Sequence, residues 1–281
     1  MNTNDSNNFI ETNHDVLSFI GYMVDKYGDV FVIGSNKALE ESLPEYHHDY
    51  FYFCLTKATR SLLASNILAN MRFREDAMVL ARSAYETYLL IANVINNEHF
   101  INSSVIISLM LINGKAKYIR QKNGKIDFHK VILEGVNKPL KYDMSISELS
   151  KNTFNKYDYR IHKELYKYMS EFLHSNFIGA GNYRTDNDKK YDVEPKTVYL
   201  DIHFIIMYIT YLLLQSMYLE YDKYDLYLFN HIDENEISEL EDMIDLLKKY
   251  LNIILNELNF SMSYPNLKDL ILKRINENKD Y

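Results

Sequence analysis

The chain has 281 residues and a formal net charge of −8, with 47% hydrophobic and 25% charged residues. That length sustains a substantial core, while the acidic balance argues against a global electrostatic grip on nucleic acid or an anionic membrane and leaves only a local basic patch open. The single cysteine, Cys54, excludes an intramolecular disulfide and a cysteine-cluster metal site, and its apolar neighbours Phe51, Phe53 and Leu55 mark it as a core thiol.

Residues 1–8 are polar, with neither a basic nor an apolar stretch, so no signal peptide is expected. Residues 1–12 are expected to be disordered or loosely attached, and the expected location is the cytoplasm. Apolar residues at helical spacing predict a first helix over 13–27, and Pro44 suits the first turn of a second over 44–70. A third is predicted over 74–97 and a fourth over 100–121, weakened by Gly114. Gly124, Gly135 and Pro139 break residues 122–158 into short pieces, with a helical turn or two at 145–149. An amphipathic helix over 157–177 runs into a long polar loop at 178–195.

Further helices are predicted over 197–221, 234–258 and 266–277. The longest apolar run, residues 204–214, is shorter than the roughly 20 residues a bilayer span needs, so it reads as a buried helix and no membrane partner is expected. With few Gly and Pro, no fixed repeat and no clear linker, the chain reads as one all-α domain over 13–281, a bundle of about seven to nine helices.

The most informative segment is the helix over 157–177. At about 100° per residue, Arg160, Lys163, Lys167, Ser170 and His174 share one stripe, opposite Ile161, Leu165, Met169, Phe172 and Leu173. Such a stripe can contact phosphate through Arg160, Lys163 and Lys167, with His174 as a proton-transfer group, because imidazole titrates near neutrality. The same residues also make an ordinary solvated face with its cations lying along apolar surface. On the third helix Arg82 and Glu86 stand four apart and can pair. They fall on a polar stripe with Glu75 and Asn93, which is either an outer face or one wall of a cleft opposite the basic stripe. Glu171-x-x-His174 and Glu45-x-x-His48 have the spacing of a di-metal helical bundle, with Glu86 and Glu220 available as further carboxylates, but the order of the motifs differs from the usual one. No metal or cofactor is expected, and none of the common nucleotide-loop, zinc-protease or serine-hydrolase motifs occurs.

Two pieces together carry a resemblance. Residues 81–86, with the pattern R-S-x-x-E, and residues 168–174, ending S-x-x-x-H, are similar to a broad family of uncharacterised bacterial all-helical proteins. These look like distant relatives of the HEPN superfamily of helical ribonucleases and nucleotide-binding proteins, whose members are common in toxin–antitoxin and phage-defence systems and often dimerise. The resemblance implies a helical protein that binds or cleaves RNA, with RNA, a protein partner such as an antitoxin, or a second copy as partners. His174 would be the general acid/base, Arg82 would stabilise phosphorane charge, Ser170 and Glu86 would orient them, and Lys163 and Lys167 would steer the backbone. HEPN ribonucleases carry R-x(4–6)-H on one helix; here Arg160 precedes His174 by 14 positions and no Arg precedes any His at the family spacing. The alternative is a non-enzymatic helical interaction or sensor protein, with both stripes as solvated faces.

Overall fold

The computed structural model describes residues 3–30, 43–142, 145–172, 199–224, 232–258 and 264–277, with the single positions 183, 190 and 260. Its elements in chain order are α1 (Thr3–Tyr27), α2 (Leu43–Asn70), α3 (Arg74–Asn96), α4 (Glu98–Phe100), a π-helical segment (Ile101–Ile106), α5 (Ile107–Ile112), β1 (Ala116–Arg120), β2 (Ile126–Leu133), β3 (Leu140–Lys141), α6 (Ile146–Leu149), α7 (Asp158–Glu171), α8 (Leu200–Tyr224), α9 (Glu234–Glu257) and α10 (Leu267–Asn276). The architecture is helical, as expected, with one small sheet.

α8 is the centre. Residues 204–214 are buried on every side, as an all-round apolar helix must be, and α8 packs on α1, α2, α3 and α9. By length and composition Leu200–Asp222 could cross a membrane, but 83% of that window is buried inside the fold. The hydroxyls of Thr210 and Ser216 donate to the carbonyls four residues back, at 2.9 Å each, so these polar groups are satisfied within the core. α2 and α3 form the closest pair, a hairpin pinned where Ser65 donates to the carbonyl of Ala77 at 2.7 Å. Arg72 closes that hairpin in the left-handed region at φ 70°, a conformation that a helix end usually assigns to glycine. Cys54 is a fully buried core thiol, its pKa pushed up to about 12 by burial.

Residues 3–12 form the first turns of α1, and Phe9 is buried against the ring of Tyr250 on α9, 5.0 Å away. One expectation is corrected. The helix expected over 100–121 ends at Ile112, and residues 116–120 are a strand. Gly114, at φ 71°, stops the helix. Gly124, at φ 81°, then closes a three-residue hairpin loop in which its N–H donates to Gln121 at 2.9 Å and Gln121 N–H donates to Lys125 at 2.8 Å. The result is an antiparallel β1–β2–β3 meander carried on α5.

Candidate functional site

α7 is the element on which the polar chemistry converges. Its apolar face, Ile161, Leu165 and Met169, is buried, and it packs on α3 and α10. Three clusters, each of an arginine, a carboxylate and a tyrosine, lie along it.

The first is at its start. Arg274 on α10 donates through Nε to Asp158 at 2.9 Å, and the Tyr88 hydroxyl on α3 donates to the other Asp158 oxygen at 3.0 Å. Arg274 is 1% exposed, and its Nη2 meets no hydrogen-bond partner among the described residues. The second is near its end. Arg74, on the first turn of α3, forms a forked contact with Asp201 on α8 (3.1 Å from Nε to either oxygen) and reaches the Tyr168 hydroxyl at 3.3 Å. The Arg74 guanidinium is sandwiched between the rings of Phe172 (4.5 Å) and Tyr199 (4.4 Å). Both arrangements are well suited to hold helices together.

The third cluster is open to solvent, and it brings the Arg82–Glu86 stripe of α3 against α7. Arg82 donates to Glu86 Oε1 at 3.0 Å and to the Tyr166 hydroxyl, and Tyr166 in turn donates to Glu86 Oε1 at 2.9 Å. The guanidinium lies 4.3 Å from the centre of the Tyr166 ring. Its side chain is 22% exposed, and Nη1 has no protein partner among the described residues. The phenol of Tyr166 is held above its ordinary pKa, first by burial, with Arg82 lowering and Glu86 raising it, so it remains a donor. The arrangement offers an oriented, partly desolvated guanidinium, the group suited to an incoming phosphate or carboxylate oxygen.

One turn before Tyr166, the His162 ring stacks on Tyr85 (5.9 Å, 13°) and approaches Tyr166 (4.9 Å). It is 5% exposed, its Nδ1 has no partner among the described residues, and burial lowers its pKa to about 4. It is therefore neutral near pH 7.

The residues singled out from sequence fall as follows. Arg82 and Glu86 sit together with Tyr166. His174 lies outside the described residues, so its distance from Arg82 is not defined. Ser170 is turned to its own helix, where its hydroxyl donates to the carbonyl of Tyr166. Lys163 lies over the Tyr159 ring at 4.3 Å, on the side of α7 near Tyr166. Lys167 leans the other way, 5.5 Å from the Tyr264 ring, and Arg160 is exposed. Asn93, read as part of the outer stripe, is buried and donates to Leu149 at 2.9 Å, because α6 covers the end of α3.

The carboxylates suggested for a di-metal site are engaged elsewhere. Glu220 meets His47 at 2.8 Å, Glu86 pairs with Arg82, and Glu171 accepts from Tyr264. No group of three or more His, Cys, Asp or Glu that could hold a metal ion occurs among the described residues.

A family model matches residues 48–191, just over half of the chain, from α2 through α3, the sheet and α7. The chain belongs to DUF5677, a family of unknown function. The matched stretch of this DUF5677 chain contains all of the Arg82–Glu86–Tyr166 cluster. No curated protein and no solved structure matches it. Tyr166 and Arg74 are the participants that sequence reasoning missed. Tyr166 falls beyond the edge of the basic stripe on the wheel, and a lone tyrosine among 25 carries no signal.

Proposed function

We propose that this protein is a HEPN-like helical RNA-binding protein of bacterial stress or phage defence, with Arg82 taking an RNA phosphate at the junction of α3 and α7. The observation that carries the reading is the cluster at the α3–α7 contact: Arg82 and Glu86 face α7 and are bonded to its Tyr166, with one edge of the guanidinium open. Glu86 and Tyr166 orient Arg82, and Lys163 adds positive charge on the same side of α7. Cleavage, in this reading, requires His174 as the proton-transfer group.

The test is binding of a fluorescent oligoribonucleotide, followed by anisotropy, with incubation of the same RNA to detect cleavage. Arg82→Ala is expected to weaken binding at least about tenfold, the value of one charge-assisted contact, and His174→Ala to abolish cleavage without weakening binding. An Arg82→Ala protein that binds RNA as tightly as the parent overturns the reading and favours the interaction-protein alternative.

A further inference from the structure

Two helices present outward stripes of the same spacing. On α2 the stripe is Phe53, Lys57, Arg60, Ala64, Ile67 and Met71, in alternating steps of 4 and 3 positions. At about 100° per residue these six fall within about 80° of arc. Phe53 is 52% exposed, Ile67 60% and Met71 58%, while the other sides of α2 pack on α1, α3 and α8. Met71 lies just past the end of α2, but its N–H still donates to the carbonyl of Ile67 at 3.0 Å, which keeps it on the helical path. On α9 the stripe is Asn235, Glu239, Asp242, Leu246, Lys249 and Ile253, with the same steps and every member exposed. Alternating steps of four and three are those of a seam between two helices, in which residues at one level meet across the contact. Both stripes stay exposed in the folded chain, so neither is the seam of a contact within it.

The two stripes carry opposite charge. Residues 50–71 hold Lys57 and Arg60 and no Asp or Glu, whereas residues 233–245 hold seven Asp or Glu and no Lys or Arg. Lys57, Arg60, Glu239 and Asp242 make no ion pair among the described residues. Setting the helices parallel with Lys57 level with Glu239 fixes every other level. Arg60 then meets Asp242, Ala64 meets Leu246, Ile67 meets the aliphatic stem of Lys249, Met71 meets Ile253 and Phe53 meets Asn235. Both charged levels are of opposite sign, the small Ala64 leaves room for Leu246, and the apolar levels follow one another toward the helix ends. An antiparallel setting that pairs the same charges runs Met71 past the start of α9 and sets Ile253 level with Tyr46, which is buried. Stacking α2 on a second α2, or α9 on a second α9, sets like charges against each other.

We propose that a second copy of this chain docks on these faces, with α2 of one copy lying parallel to α9 of the other. The contact is heterologous, joining two different faces rather than one face to its own copy. A single seam of about 18 residues, about 27 Å long, lies at the low end of specific interfaces, so the association is weak and is screened by salt. No residue of the Arg82 cluster takes part.

Sedimentation equilibrium of the full chain, from about 1 μM to about 1 mM, covers the range of weak association. The average mass of the parent should rise with concentration, and added salt should lower it. Arg60→Gln/Met71→Gln on α2 and Asp242→Asn/Ile253→Gln on α9 alter exposed positions, so both variants should melt like the parent, and each should weaken association at least about tenfold. Mixed in equal amounts, the two variants bring together one native α2 face and one native α9 face, and should form a one-to-one complex at concentrations where neither associates alone. As a rescue, Arg60→Glu and Asp242→Arg should each abolish association alone and restore it when combined in one chain. A parent that stays monomeric to about 1 mM overturns the proposal. So does a variant that associates as tightly as the parent, a mixture that stays monomeric, or a combined reversal that fails to recover association.

Discussion

Two clusters along α7 use the same three groups to opposite effect. At Asp158, an arginine from α10 and a tyrosine from α3 both donate to one carboxylate, and the arginine is 1% exposed. At Tyr166, an arginine and a carboxylate from α3 meet a tyrosine from α7, and the arginine side chain is 22% exposed. The difference is water. A sealed ion pair has lost its hydration completely, so its partners depend on each other and nothing else can reach them. A pair at the surface keeps much of its hydration, contributes little to stability, and leaves an oriented cation for a ligand. Chemical identity does not separate a structural cluster from a candidate site here, whereas burial does.

The sharpest way to break this contrast is Arg274→Ala. It leaves Asp158 charged and without its cation inside the fold, and should cost about 3–5 kcal/mol in urea unfolding. Replacing the pair together, as Arg274→Met with Asp158→Leu, should recover most of that loss; a single-variant cost below about 1 kcal/mol would show that the cluster is not sealed.

The next effect in size is acid sensitivity at the seam between the two ends. Burial lowers His162 to about 4 in the folded state, whereas the unfolded chain takes up that proton near 6.5. The unfolded state therefore binds more protons in this window, and stability complete above pH 6.5 is lost as the pH falls toward 4. The loss should reach roughly 2–3 kcal/mol, and His162→Phe, which keeps a ring against Tyr85, should remove that part of the pH dependence.

The smallest effect is expected at the open end, where Arg82→Ala should change thermal stability by no more than about 1 kcal/mol. A loss near that of Arg274→Ala would make the Arg82 cluster another structural clamp and remove the basis for a site there.

Much of the helical framework was legible because its signals are local. Apolar spacing marked α2, α3, α8 and α9 nearly to their ends, since each buries a stripe or a whole circumference. The sheet was not anticipated, although Asn123-Gly124 between two β-capable runs is a hairpin signal; helical spacing at Val105, Leu109 and Ile112 extended the reading past Gly114. α1 was shortened because its first turns are polar, and it is Phe9 on Tyr250 of α9, over 200 positions away, that ties them down. At the candidate site, the four-residue spacing gave the Arg82–Glu86 pair, which is a property of one helix. Tyr166 was missed and Asn93 misread because their places depend on what a second helix presents.

By itself the sequence determined what a single helix can specify: which faces are apolar, which residues share a stripe, and that Arg82 can reach Glu86. Only the tertiary structure decided which arginine is sealed and which remains open, and that Lys130 stands opposite Lys141. Those outcomes depend on desolvation and cross-strand register, which arise only when segments distant in sequence exclude water together.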